Sequence, residues 1–280
     1  MLTKLYLGDA RFHLKKIEPS SFQTCITSPP YFGLRDYGER GQIGLEDSVD
    51  EYVHELVQVF REVRRTLTPD GTLWLNLGDC YNKKQLVGVP WKVAFALQED
   101  GWFLRSDIVW SKSNPMPENV TDRPTRGHEF LFLLSPSAKY FYDHEAIKEP
   151  TVKDVGSEKI RFGGTKYGDD KNQIQTTRTG NVYKQTGLRN KRDVWTIGAQ
   201  SFKGAHFAVM PKLLVEPCVL AGSRPGDTVL DPFAGSGTVG VVALNHGRNF
   251  TGIELSESYL NIMHNRIYND APSINKIELI

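Results

Sequence analysis

Cysteine is scarce: the 280 residues hold only Cys25, Cys80 and Cys218, far apart and without metal-ligand spacing. That excludes a disulfide framework and a zinc site, and it fits a reducing compartment. No stretch approaches the roughly 18 consecutive apolar residues that a membrane span requires, and Met1 to Arg11 lacks a long apolar run. The chain is therefore read as cytoplasmic, with no membrane partner. Net charge is almost missing as well, at +1, so overall charge permits a nucleic-acid partner without indicating one. Internal repeats and low-complexity tracts are also lacking.

What is present is the composition of a globular protein with one main domain and a smaller insertion, 39% hydrophobic and 24% charged. Short apolar runs alternate with helical patterns, as parallel strands joined by crossover helices require. Gln23 to Thr27 reads as a strand entering Ser28-Pro29-Pro30-Tyr31, where two prolines forbid both helix and ladder pairing. Helical spacing over Val49 to Leu67 predicts a helix, and a Pro-Asp-Gly turn at 69 to 71 leads into a strand from Thr72 to Leu77. A helix at Pro90 to Glu99 and strands at Phe103 to Trp110 and Glu129 to Leu134 follow. After Trp195 come a helix at Pro211 to Ala221, a strand at Thr228 to Leu230, a helix ending near His246, a strand at Asn249 to Ile253 and a last helix from Ser256.

Between Lys148 and Asp193 the pattern breaks. This stretch carries six glycines and eleven basic against six acidic residues. It reads either as a solvated insertion or as a segment that contacts phosphates and bases, with Arg178, Lys184, Arg189, Lys191 and Arg192 as its candidates.

Asp231-Pro232-Phe233-Ala234-Gly235-Ser236-Gly237-Thr238 is a glycine-rich turn between a strand and a helix, which lets backbone approach a ligand closely. Glu254, ending the next strand, can accept from both hydroxyls of a ribose. A phosphate site is disfavoured, because no Gly-Lys-Ser/Thr follows and no lysine or arginine lies between Asp231 and Asn245. An acidic residue such as Asp231 suits a cationic ligand that carries no phosphate. The same loop could also be a packing turn with a capping glutamate.

Ser28-Pro29-Pro30-Tyr31, flanked by Thr27 and Phe32-Gly33-Leu34-Arg35-Asp36-Tyr37, together with Asp231 to Thr238, resembles the beta-type DNA amino-methyltransferases of restriction-modification systems. Gly8-Asp9, read as preceding the first strand, Gly71 to Asp79, Trp110-Ser111-Lys112 with Asn114-Pro115, and Pro211 match too. The resemblance implies an α/β fold, the Rossmann-like S-adenosylmethionine-dependent methyltransferase fold with a mixed, mostly parallel sheet and a circularly permuted motif order. It implies a methyltransferase domain with its catalytic half at 1–147 and its cofactor-binding half at 196–280, around a target-recognition insertion at 148–195.

S-adenosyl-L-methionine is the implied cofactor and double-stranded DNA the implied partner; a cognate restriction endonuclease acting separately and a homodimer stay open. By the same resemblance Asp9 contacts the cofactor's adenine, although it could equally be a turn residue. Asp231 and Phe233 line the cofactor site. Lys112 and Asn114 lie near the target base or the strand backbone, or simply on a surface loop, and Arg35 and Asp36 order the catalytic loop.

An exocyclic amine is a poor nucleophile, so acceptors must be aimed at its two N–H bonds. The Ser28 hydroxyl and the Pro29 carbonyl supply them, while the prolines keep that carbonyl rigid and Tyr31 stacks on the target base. Ser28 goes more often with cytosine N4 and Asp or Asn with adenine N6, so cytosine is expected and adenine is the rival. Pro217-Cys218 and Glu118-Asn119-Val120 imitate the motifs of carbon-5 cytosine methyltransferases, but their order along the chain contradicts that chemistry. An RNA or protein methyltransferase and a cofactor-binding module without catalysis are the remaining alternatives.

Overall fold

The run Leu73-Trp74-Leu75 is fully buried on every side chain, the mark of a strand covered on both faces. The computed structural model describes residues 1–150, 187–200, 209–271 and 276–280. In chain order its elements are β1 (Leu2–Leu7), α1 (Ala10–Lys16), β2 (Phe22–Thr27), α2 (Val49–Thr66), β3 (Leu67–Leu77), β4 (Tyr81–Asn82), β5 (Gln85–Leu86), α3 (Val89–Glu99), β6 (Phe103–Ser111) and β7 (His128–Ser135). They continue with β8 (Glu149–Pro150), β9 (Leu188–Arg189), β10 (Val194–Thr196), α4 (Lys212–Gly222), β11 (Thr228–Asp231), α5 (Thr238–Asn245), β12 (Asn249–Glu254), α6 (Glu257–Asp270) and β13 (Lys276–Leu279).

Nine strands form one sheet in the order β10-β6-β7-β3-β2-β11-β12-β1-β13. Every neighbouring pair is parallel except those that involve β7, which runs against both β3 and β6. The mixed, mostly parallel sheet expected from the sequence is thus present. Side chains alternate between its faces: Leu73, Leu75 and Leu77 pack with residues of α1, α2 and α3, whereas Trp74 packs with residues of α4, α5 and α6.

Local chemistry sets the helix starts. Ser48 and Glu51 form a reciprocal capping box at α2, with Ser48 Oγ accepting from the Glu51 N–H and the Glu51 carboxylate from the Ser48 N–H. Asp9 caps α1 by accepting from the Arg11 N–H at 2.8 Å.

Strands from the two ends of the chain meet where β2 pairs with β11. Ligands of open α/β sheets bind at the carboxyl ends of strands beside such a switch. Thr27 ends β2, Leu77 ends β3, Asp231 ends β11 and Glu254 ends β12, so all four chain exits lie along one rim. Because β7 is antiparallel, its amino end, His128 and Glu129, comes to that rim too.

Several sequence readings need correction. Gly8-Asp9 follows the first strand rather than preceding it, because Leu2–Leu7 is itself a strand, paired with β12 and β13. The Pro-Asp-Gly segment is no separate turn. It is an irregularity within β3, where Phe22 pairs with Leu67 but Thr24 already with Thr72. The edge strand β10 runs over Val194–Thr196, and Trp195 sits in the core beside Trp110. Among the described residues no helix is long and apolar enough to cross a membrane, and no His, Cys, Asp and Glu cluster could hold a metal ion.

Candidate active site

Two prolines and a tyrosine from α2 shape the loop that leaves β2. Pro29 is buried, and the Pro30 carbonyl accepts from the Tyr52 hydroxyl at 2.8 Å. Tyr52 is itself fully buried. The following turn folds back on this loop, with the Gly33 N–H donating to Gly44 O at 2.8 Å. Gln42 orders it further by donating to Arg35 O at 2.8 Å and accepting from the Tyr37 N–H at 2.7 Å, while Asp36 accepts from the Gly38 N–H at 2.8 Å.

Tyr31 turns its ring onto Gly78, the first residue after β3. A Cβ there would lie 2.5 Å from Tyr31 Cε2, so only glycine admits the ring. The Tyr31 hydroxyl donates to Glu129 Oε2 at 2.6 Å and accepts from Asn76 Nδ2 at 2.6 Å. Asn76 Nδ2 also donates to Glu129 Oε2 at 2.8 Å and lies 3.4 Å from Ser28 Oγ. The Ser28 hydroxyl donates to Tyr31 Oη at 3.3 Å. Burial, and next the Glu129 charge, hold the Tyr31 phenol well above its ordinary pKa, so it stays protonated and donating. The other Glu129 oxygen receives the Lys112 ammonium, which also sits 4.8 Å above the Trp110 ring. Three acceptors surround the Asn76 amide nitrogen, and its Oδ1 is buried without a hydrogen-bond partner.

Alongside, Asp231 is 2% exposed at the end of β11. Its Oδ1 accepts from the Thr27 hydroxyl at 2.6 Å and from the Phe233 N–H at 3.1 Å. Burial pushes its carboxyl up to about 7, and the Glu254 charge adds to the rise while both hydrogen bonds oppose it. Glu254 is raised too, first by burial. Its Oε2 accepts from the Gly235 N–H at 2.7 Å and its Oε1 from the Ser256 N–H at 2.9 Å, so the carboxylate clamps the glycine loop against the start of α6. The Leu255 N–H is a further backbone donor to this carboxylate, whose remaining acceptor capacity is open to a ligand hydroxyl.

Gly237 has φ +76°, and a Cβ there would meet Met263 Cγ at 2.6 Å. Ala234 and Pro232 are buried. Arg266 of α6, 7% exposed, reaches under the loop and donates to Ser236 Oγ at 2.8 Å and Thr238 Oγ1 at 2.9 Å. Buried carboxylates without a loop lysine or arginine, and a turn at Gly235 where a Cβ would meet only Phe233 O at 4.0 Å, suit a cationic nucleoside.

Asp9 follows the carboxyl end of β1 on the same rim, one residue past Gly8, whose N–H donates to Glu254 O at 2.8 Å. Both oxygens of Asp9 accept from Arg11, at 2.8 to 3.0 Å and 2.6 Å, and this pairing holds its pKa low against the opposing effect of burial. Asn114 uses its amide at both ends on the Ala199 backbone, at 2.7 and 3.2 Å. Arg189 and Arg192 both donate to Glu149 Oε1 at 2.9 Å, and Lys191 lies 4.7 Å above the Trp195 ring. Arg178 and Lys184 lie outside the described residues.

Cys218 is 1% exposed inside α4, bonded to Leu214 O, with burial pushing its thiol up. Glu118 is paired with Arg123 at 2.6 Å. Neither residue is set up for a carbon-5 mechanism. Four residues of the site had escaped the sequence reading: Tyr52, Asn76, Glu129 and Arg266. Only the burial expected of Asn76 within an apolar strand gave any signal.

A family model described as DNA methylase, of the N6 and N4 type, matches residues 22–265. The type II methyltransferase M.SmaI of Serratia marcescens is 45% identical over 94% of this chain and 90% of its own length. M.Cfr9I of Citrobacter freundii is 44% identical over 98% and 90%. Among solved structures, the PvuII DNA methyltransferase, described as cytosine-N4-specific, superposes with a TM-score of 0.69 at 19% identity, covering 99% of this chain and 96% of that one. A putative DNA modification methylase of Thermus thermophilus, solved with S-adenosyl-L-methionine, gives 0.65 at 24% identity, covering 99% of both chains. These two likenesses speak to fold alone. With a family match that takes in both the Ser28–Tyr31 loop and the glycine loop, the chain belongs to the N6 and N4 DNA methylase family and is a DNA methyltransferase.

Proposed function

We propose that this protein methylates the N4 amine of cytosine in duplex DNA, using S-adenosyl-L-methionine. The observation that carries the proposal is the Thr27–Asp231 hydrogen bond, which puts Ser28 and the glycine loop side by side on the sheet rim. The cofactor supplies an electrophilic methyl group on a cationic sulfur. Asp231 and Glu254 hold its charged and hydroxyl-bearing parts, with Phe233 beside them, and Gly235 and Gly237 let backbone come close.

Ser28 Oγ and the Pro29 carbonyl accept from the two N–H bonds of the target amine. They favour the pyramidal nitrogen whose lone pair can attack. Tyr31 stacks on the base, which must leave the helix to reach this rim. Positioning then supplies much of the acceleration, with no covalent enzyme intermediate. Residues 148–195, with their positive surplus, serve target recognition, and Lys112 lies at the mouth of the base site.

Ser28 at the head of the tetrapeptide favours cytosine. Adenine presents the same two N–H bonds to the same acceptors, so it is the alternative substrate. Incubation with methyl-labelled cofactor and mixed-sequence duplex DNA, followed by nucleoside mass spectrometry, separates the two. N4-methylcytosine is the expected product, and N6-methyladenine would overturn the base assignment while leaving the mechanism.

A further inference from the structure

We propose that Glu129 is a positioning residue for methyl transfer, acting on the target amine through Tyr31 and Ser28 as the end of a hydrogen-bonded proton chain. The chain is continuous: Ser28 Oγ donates to Tyr31 Oη at 3.3 Å, and Tyr31 Oη donates to Glu129 Oε2 at 2.6 Å. Asn76 Nδ2 braces all three groups, at 3.4, 2.6 and 2.8 Å. Its amide orientation is fixed, because the flipped amide would set its oxygen against the Glu129 carboxylate.

Lys112 binds the opposite oxygen of Glu129 and leaves Oε2 to the chain. The Glu129 side chain is 14% exposed, so one end of the chain reaches water. No other carboxylate is hydrogen-bonded to Ser28 or Tyr31 among the described residues.

The chain answers a need of the chemistry. As the amine nitrogen forms its bond to the methyl carbon, the carbon–sulfur electron pair stays on sulfur and the nitrogen becomes cationic with one proton too many. Ser28 Oγ accepts that proton and passes its own to Tyr31 Oη, which passes its own to Glu129. Ser28 and Tyr31 end unchanged, Glu129 ends neutral, and it releases the proton to water. Before any proton moves, the negative end of the chain already makes Ser28 Oγ a better acceptor. The inference rests on Ser28 receiving the amine, and it serves cytosine and adenine alike.

Glu129→Gln keeps the size of the side chain and one acceptor oxygen for Tyr31 and Asn76 but removes the charge and the acceptor for Lys112, and Tyr31→Phe keeps the ring but cuts the chain. Single-turnover transfer would be measured on sheared, unmethylated mixed-sequence duplex DNA with tritiated S-adenosyl-L-methionine. Each variant is expected to slow it about 100-fold, and the double variant to be no slower than the worse single, because one chain can be broken only once.

A second readout needs no turnover. In protein carrying 13Cζ-tyrosine, free of cofactor and DNA, the signal missing from Tyr31→Phe identifies Tyr31, and in Glu129→Gln that signal should shift toward an ordinary phenol. Wild-type rates in Glu129→Gln, losses that multiply in the double variant, or an unmoved Tyr31 signal would each overturn the proposal. Ser28→Ala separates the layers. If it transfers normally, the Ser28 reading itself fails; if it is inactive while Glu129→Gln is not, only the chain does.

Discussion

The Thr27 hydroxyl and the Asp231 carboxylate meet at 2.6 Å although 204 residues separate them in the chain. This bond ties the proline loop that leaves β2 to the glycine loop that leaves β11. Thr27→Val keeps the shape and leaves a buried carboxylate with one partner fewer. A loss of about 1–3 kcal/mol in urea unfolding is expected, together with weaker cofactor binding near neutral pH, because the Thr27 bond holds the Asp231 pKa down. Binding should recover as the pH is raised, and a variant that binds equally at every pH would contradict this coupling.

Asp231 also gives cofactor binding a pH dependence. Its carboxyl lies at about 7 in the folded protein, above the unfolded value of about 3.9. The folded state therefore holds a proton that the unfolded state has released, and the stability of the cofactor-free protein falls as pH rises between those values. A cationic ligand favours the ionised form, so binding should tighten as pH rises through about 7 and release a proton. Calorimetry in two buffers of different ionisation enthalpy measures that proton directly. Asp231→Asn should flatten both profiles, and a profile unchanged in that variant would assign the titration to Glu254.

Gly78 tests whether the placement of Tyr31 matters. In Gly78→Ala the added Cβ collides with Tyr31 Cε2 at 2.5 Å, so the ring must shift. A displacement near 1 Å at a reacting site costs about 100-fold in rate. Transfer should fall by that order while the dissociation constant for S-adenosyl-L-methionine, read by fluorescence, stays the same, because the cofactor loop is untouched. A rate within about threefold of wild type would mean that Tyr31 does not hold the base.

The two loops were legible in the sequence because their residues declare backbone chemistry. Two prolines after an apolar run stop a strand at Thr27, and Gly235 and Gly237 permit a turn that opens α5. β1 was hidden because Thr3, polar by type, is one of its fully buried residues, so the apolar alternation never formed. β13 is a short edge strand with half of its residues exposed. Glu129 was invisible for another reason. Only the reversal of β7 carries it to the rim, 98 residues from Tyr31, and no local pattern encodes that reversal. Arg266 likewise serves a loop 28 to 30 residues away.

Arg266 explains how a glycine loop keeps one shape. Its guanidinium is buried, its pKa is lowered by that burial, and it bonds two loop hydroxyls. Arg266→Met fills most of the space and removes the donors. Cofactor affinity is expected to drop about tenfold, equivalent to about 1.4 kcal/mol, while transfer at saturating cofactor persists. Equal loss at saturation would place the arginine's effect on the base side instead.

Cys218 and Ser28 decide between the two chemistries open to a cytosine. A carbon-5 enzyme needs an exposed, ionisable thiol, yet Cys218 lies 1% exposed in α4 and its thiol is pushed up by burial. Cys218→Ser retains a donor for Leu214 O, so it should melt within a few degrees of wild type and transfer at nearly the same rate. Ser28→Ala removes the hydroxyl that donates to Tyr31 Oη at 3.3 Å and should lose most transfer while still binding cofactor. The opposite pair of results, an inactive but folded Cys218→Ser and an active Ser28→Ala, would require attack through sulfur and refute direct transfer to the amine.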